Sequence, residues 1–267
     1  MRTIVASALA LTLSASLSAQ EPFKPVVGQA GKDVVWVPTS PELLEKMLDL
    51  VKITPSDFVM DLGSGDGRNI IAAAKRGARG LGVEYNPDMV ELSTRLAKEA
   101  GVGHLAEFVQ GDMYEADVSR ATAFVLFLLP VNMNKLEPKF LALKPGTRIV
   151  ANTFKFDEWE PDLRESLVDS TCASWCEALL WIVPARAGGT WTISDGTLVL
   201  EQDYQRLSGK LTTASGTSDV TNGRLSGEEI QFIAGGLTYS GRVNGNAIEG
   251  TVTTPSGVRP WTAHKNP

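Results

Sequence analysis

The sequence predicts an α/β chain in two parts: a doubly wound, mostly parallel sheet, then a C-terminal antiparallel β-meander closing into a small barrel. Three observations carry this. Between Val34 and Pro184, short apolar runs alternate with amphipathic stretches, as the strands and crossover helices of a parallel sheet do. Phe58-Val-Met-Asp-Leu-Gly-Ser-Gly-Asp-Gly-Arg68 joins an apolar strand to an alanine-rich helix through a glycine bend. At Gly188 the composition shifts: thirteen of the 25 glycines fall in residues 188–267, and helix signals vanish. The predicted division is a secretory signal at 1–19, a lead-in at 20–33, the α/β domain at 34–187 and the all-β domain at 188–267.

The elements follow in order. Met1–Ala19 has Arg2 at its start, an apolar Ala/Leu/Ser-rich middle and small residues before Gln20, the pattern of an export signal. It is short for a membrane span, so export is the first reading and an uncleaved membrane anchor the second. Residues 20–33 are rich in Pro and Gly and read as a surface lead-in. Val34–Pro38 is extended, and Thr39-Ser-Pro-Glu offers a capping box with Thr39 as its cap. Leu43, Leu44, Met47, Leu48 and Val51 then recur at helical spacing. The strand into Asp61, a helix at 69–76, a strand at 80–85 and a helix from Pro87 come next. Strand 106–109 runs into Gln110-Gly-Asp-Met-Tyr114. Ala121–Leu129 is nearly continuous apolar sequence, as a central parallel strand requires. A helix at 132–143 and a strand at 148–154 precede an ambiguous stretch, 159–169. Leu179–Pro184 reads as the sheet's far edge. Beyond it, Asp195-Gly, Asn222-Gly and Asn244-Gly are tight-turn pairs between alternating runs. They imply roughly eight short strands with Leu198, Leu200, Ile230, Phe232, Leu237, Tyr239, Ile248 and Val252 on the apolar face.

Composition narrows the function. The net charge of −6 opposes non-specific binding to nucleic acid or anionic membrane, while leaving a basic protein substrate open. The two histidines, His104 and His264, and the two cysteines, Cys172 and Cys176, form no metal-ligand spacing, so no metal is expected. Export favours a disulfide between the cysteines; their spacing permits one in a loop and strains one in a regular helix.

The chemistry concentrates at the glycine bend. The pattern is Asp61-x-Gly63-x-Gly65-x-Gly67, with a further acid at Asp66. A pyrophosphate would be repelled by Asp61 and Asp66, so the ligand end here is expected to be positive, as in the methionine portion of S-adenosylmethionine. Glu84, ending the second strand, is placed to accept from two ribose hydroxyls. Asp112, after the third, can accept from an exocyclic amine, with Met113 against an adenine face. Each has a plainer role available: Asp61 as a helix cap, Glu84 as a solvated strand end, Met113 as core.

These residues, together with Val37-Pro-Thr39, Asp117-Val-Ser, Phe127-Leu-Leu-Pro130, Pro145-Gly-Thr-Arg148 and Phe154…Trp159-x-Pro161, resemble class I S-adenosylmethionine-dependent methyltransferases. In particular they resemble the seven-strand protein-lysine methyltransferases that include the ATP synthase c-subunit lysine methyltransferase. The resemblance spans about Val34–Ala185. It implies a Rossmann-like sheet with S-adenosyl-L-methionine as cofactor. It further implies that Asp61, Gly63, Ser64, Gly65 and Gly67 cradle the methionine end, Glu84 the ribose, and Asp112 with Met113 the adenine. Trp36, Pro38, Thr39, Phe127, Leu129 and Pro130 would line the acceptor channel, with Trp36 where relatives often carry tyrosine. The implied acceptor is a protein lysine; a small molecule is the alternative. An exported binding protein acting through its barrel is a third reading, because S-adenosylmethionine is made in the cytoplasm. No catalytic base is identified, although Asp66 and Asp112 are candidates.

Overall fold

The structure, a computed structural model, describes residues 23–167, 172 and 174–266. The expected export segment, Met1–Ala19, lies outside the described residues.

The first seven strands are β1 (Phe58–Leu62), β2 (Arg79–Glu84), β3 (Ala106–Gln110), β4 (Ala123–Leu126), β5 (Arg148–Asn152), β6 (Leu163–Ser166) and β7 (Glu177–Ile182). They form one sheet in the order β3-β2-β1-β4-β5-β7-β6. β1 to β5 pair in parallel, while β7 runs antiparallel to both β5 and β6. The helices α1 (Pro41–Leu50), α2 (Arg68–Lys75), α3 (Pro87–Glu99) and α4 (Pro130–Leu141) cover the two faces. Successive β1 residues point to opposite faces. Val59 therefore joins Met47, Leu48, Ile70 and Ala73 on one side. Met60 joins Phe124, Met133, Leu136, Phe140 and Trp181 on the other. Both faces being buried explains the unbroken apolar runs, and each fully buried large aliphatic or Phe side chain contributes about 1.5–3 kcal/mol. The strand order reverses between β1 and β4, the position where an open parallel sheet leaves a crevice.

Three local expectations change. Ser40, not Thr39, caps α1, its Oγ accepting from the Leu43 N–H at 3.2 Å. Thr39 instead lies beside Asn152, whose Nδ2 is 3.3 Å from its Oγ1. Only Ala123–Leu126 of the long apolar run is strand; the chain leaves the sheet at Phe127, and Pro130 opens α4. The far edge is β6 rather than β7: all four β6 residues are exposed, so no apolar alternation marks it. The cysteines do form a disulfide, Cys172–Cys176, ahead of β7 rather than within a helix.

The remaining strands are β8 (Gly189–Ile193), β9 (Gly196–Asp203), β10 (Arg206–Thr213), β11 (Gly216–Ser226), β12 (Glu229–Ala234), β13 (Leu237–Asn244), β14 (Ala247–Thr254) and β15 (Gly257–Lys265). Each pairs antiparallel with the next, and β15 returns to β8, closing an eight-stranded barrel. Trp191, Leu198, Leu200, Leu211, Leu225, Phe232 and Ile248 fill its interior. Asp195-Gly and Asn244-Gly sit at hairpin ends as expected. Asn222-Gly does not: it is a bulge inside β11, with Asn222 at φ 52° and the register against β12 shifting between Thr221 and Arg224. A bulge and a tight turn ask for the same left-handed residue, so the dipeptide alone does not separate them.

The barrel docks at the end of the sheet opposite the crevice. Gly227 abuts Gly146, just before β5, and the Ala185 N–H donates to Gly227 O at 2.8 Å. Tyr204, in the β9–β10 turn, stacks on Trp159 at 5.8 Å and donates to Glu137 Oε1 at 2.9 Å. Arg224 pairs with the Asp162 carboxylate at 2.7 Å.

Candidate functional site

The crevice at the carboxyl ends of β1, β2 and β4 opens into a cleft. Its lining includes Asp61, Gly63, Ser64, Gly65, Glu84, Asp112, Met113 and Phe127, together with residues 29–39, which fold over it as a strap. The strap is held by the Gly28 N–H to Trp36 O at 2.9 Å and the Trp36 N–H to Gln29 O at 3.0 Å. At Gly65, with φ 54°, an added Cβ would lie 2.7 Å from the Trp36 indole. Glycine is therefore required there both for its left-handed backbone and for this close approach.

The N–H groups of the bend are engaged within the protein. Gly63 and Ser64 donate to Val83 O at 2.8 and 3.1 Å, and Gly67 donates to Ser64 O at 2.9 Å. Gly65 donates to Glu84 Oε2 at 2.8 Å. A phosphate cradle needs such groups pointing at the ligand; here three of them are turned onto backbone carbonyls and the fourth fixes the Glu84 side chain. Asn86 N–H donates to Glu84 Oε1 at 2.9 Å, so both Glu84 oxygens are oriented while retaining lone pairs for further donors.

Asp61 is 2% exposed and accepts from Asn69 Nδ2 at 3.0 Å. Burial pushes its carboxyl up to about 8; the Asn69 bond opposes this, and the Glu84 and Asp66 charges reinforce it. Ser64 Oγ and Asn69 Oδ1 are buried and find no hydrogen-bond partner among the described residues. A buried acid amid other acids, with the unpartnered amide oxygen of Asn69 beside it, suits a cationic, hydrogen-bonding group.

Not every expected residue reaches the cleft. Trp36, Pro38 and Thr39 line it, but Gly67, Leu129 and Pro130 do not. Gly67 is the N-cap residue of α2, packed against Phe108 and Ser93; Leu129 and Pro130 begin α4. The two candidate bases are already ion-paired. Asp66 grips Arg68, with Arg68 Nη2 2.6 Å from Oδ2. Asp112 accepts from the Tyr114 N–H at 2.9 Å and pairs with Lys32 at 3.0 Å. The Tyr114 bond first and Lys32 second hold the Asp112 carboxyl below its ordinary value.

Sequence reasoning placed Trp36, Pro38 and Thr39 of the strap at the cleft but missed Asn69 and residues 29–35, Lys32 among them. Lys32 belongs to a weakly patterned lead-in whose position over the cleft is set by tertiary contacts. Asn69 carried a usable signal: a polar residue in the first turn of an otherwise apolar helix, directly after the glycine bend.

Comparison with known proteins agrees with this geometry. The family model for the ANTKMT methyltransferase domain matches residues 61–163. A protein-lysine N-methyltransferase of Saccharolobus islandicus is 40% identical over 132 residues, covering 48% of this chain and 81% of that protein. The ATP synthase c-subunit lysine N-methyltransferase of Xenopus laevis is 36% identical over 128 residues, covering 48% of this chain and 56% of that protein. A solved structure described as an RNA methyltransferase from Salinibacter ruber, in complex with S-adenosyl-L-homocysteine, is 42% identical. The match covers 56% of this chain and 95% of that one, with a TM-score of 0.52. Fold and cleft thus define a class I methyltransferase whose cofactor is S-adenosylmethionine. The chain belongs to the protein-lysine N-methyltransferase family.

Proposed function

We propose that the chain transfers methyl groups from S-adenosylmethionine to lysine side chains of a protein. The observation that supports the cofactor's placement is Asp61, a buried carboxyl amid other acids and bonded to Asn69, whose amide oxygen has no partner among the described residues. The relatives named as lysine methyltransferases support the acceptor. The Salinibacter relative's description raises RNA instead, but a net charge of −6 favours a cationic protein acceptor.

When bound, S-adenosylmethionine supplies a methyl group already activated by its positive sulfonium. Asp61 would ionise to hold the cofactor's ammonium, aided by Asn69. Glu84 would accept from the ribose hydroxyls, and Asp112 with Met113 would take the adenine. Gly63 and Gly65 allow close approach, while Trp36, Pro38 and Thr39 exclude water from above. Phe127 stands at the acceptor side. The protein's task is alignment and exclusion of water more than covalent chemistry.

Export is part of the proposal, with a membrane anchor as its alternative. The Cys172–Cys176 disulfide supports an oxidising compartment. The reading is tested by incubating the full chain with S-adenosylmethionine labelled in its methyl group and either a lysine-rich protein or RNA. Label on lysine, located by mass spectrometry, is expected; label on RNA alone would contradict it.

A further inference from the structure

Three aromatic rings stand together at the carboxyl ends of β4 and β5, beside the cleft, and neither core of the α/β domain includes them. Phe127 follows β4 and lines the cleft. Phe154 follows β5 and stacks on Phe127, with ring centroids 6.0 Å apart and planes at 21°. Trp175 precedes β7 and meets Phe127 edge-on at 5.8 Å and 65°. It is 43% exposed, so the group runs from solvent to the cleft.

The chain positions two of these rings through uncommon backbone. Thr153, just before Phe154, has φ 58°, and Trp175 itself has φ 57°. Such conformations cost free energy for residues other than glycine, and they persist where surrounding structure imposes them. Thr153 is held on both sides by Glu177: its N–H donates to Glu177 O at 2.8 Å, and its Oγ1 accepts from the Glu177 N–H at 3.3 Å. Trp175 lies within the loop closed by the Cys172–Cys176 disulfide. Two constrained loops thus present large aromatic rings to partly open space, although burying those rings would be the more stabilising arrangement.

We infer that Phe127, Phe154 and Trp175 form the port for the acceptor's alkylammonium, and that it grips a methylated ammonium at least as well as a free one. The inference rests on the lysine reading above. Aromatic faces attract cations through the ring quadrupole, and the attraction survives methylation because it needs no N–H donor. A hydrogen-bonding port would instead release the product as its donors are replaced. This port therefore favours successive transfers to one nitrogen.

The test uses the full chain saturated with S-adenosylhomocysteine. Capped Nε-trimethyl-lysine and its neutral isostere, with carbon replacing the quaternary nitrogen, are titrated in turn while each ligand's own terminal methyl proton signal is followed by NMR, a readout that wild type and the Trp175 variants share. The cation is expected to bind roughly 3- to 30-fold more tightly than the isostere. Trp175→Ala should abolish that preference and Trp175→Phe retain part of it, with S-adenosylhomocysteine affinity unchanged in both. Equal binding of cation and isostere, no binding of either, or a preference that survives Trp175→Ala would overturn the port. Failure of wild type to bind S-adenosylhomocysteine would overturn the methyltransferase reading and the port together, which separates the two failures.

Discussion

Asp61 is the residue proposed to hold the cofactor's ammonium, and its burial gives the unliganded protein a particular pH dependence. Its folded carboxyl titrates near 8, against an ordinary 3.8. Between those values the folded state holds a proton that the unfolded state has released, so stability falls as pH rises toward 8 and levels beyond it. The melting temperature without ligand should therefore decline between about pH 5 and pH 8. S-adenosylhomocysteine should flatten the decline by supplying a cation to the ionised form, and Asp61→Asn should remove this contribution; a wild-type curve unchanged by ligand would contradict it. Gly65 makes a steric prediction. Gly65→Ala places a Cβ in left-handed backbone against Trp36, costing about 1–2 kcal/mol before any rearrangement. A roughly tenfold or greater loss of S-adenosylhomocysteine affinity is expected by calorimetry.

At the scale of elements, Asp57 ties together the starts of β1, β4 and β5. Thr54, Thr122 and Arg148 all reach its carboxylate. Burial works to raise the group, but the Thr122 and Thr54 bonds and the Arg148 charge outweigh it and hold it below its ordinary value. Its pH effect is opposite to that of Asp61: stability is present above the unfolded value and lost as pH falls through the lower folded one. Asp57→Ala should cost roughly 3–5 kcal/mol in urea unfolding, because the Arg148 charge is left without its partner; a cost under about 1 kcal/mol would reduce the cluster to a surface pair.

The alternating elements were legible because parallel strands and their crossover helices leave different periodicities. The barrel was legible because its strands alternate and its turns need Gly or Asn. What escaped is set by distance in space. Residues 29–35 of the strap reach the cleft through contacts such as the Lys32–Asp112 pair, which no local pattern encodes. Strand β6 has no buried face, and the Asn222-Gly bulge shares its residue preference with a turn. In the sequence Trp175 is one aromatic between two cysteines; only the fold sets it beside Phe127.

For the whole molecule, the cleft and the barrel occupy opposite ends of the sheet, and among the described residues every one that lines the cleft comes from the first 127. Tyr204 is the main aromatic link between the two parts, stacked on Trp159 and bonded to Glu137. Tyr204→Ala should therefore loosen the docking without disturbing the cleft. Calorimetric melting is expected to separate toward two transitions, with S-adenosylhomocysteine raising only the one that belongs to the sheet. A single transition shifted as a whole by ligand would show that the parts remain coupled by other contacts.

The most direct test of the central claim is calorimetric titration of the full chain with S-adenosylhomocysteine, beside Glu84→Ala and Asp61→Ala. Wild type should bind at one site. Glu84→Ala should weaken binding roughly 10- to 100-fold, the worth of hydrogen bonds to a charged carboxylate, and Asp61→Ala should weaken it as well. No binding by wild type, or binding that survives both substitutions unchanged, would contradict the account.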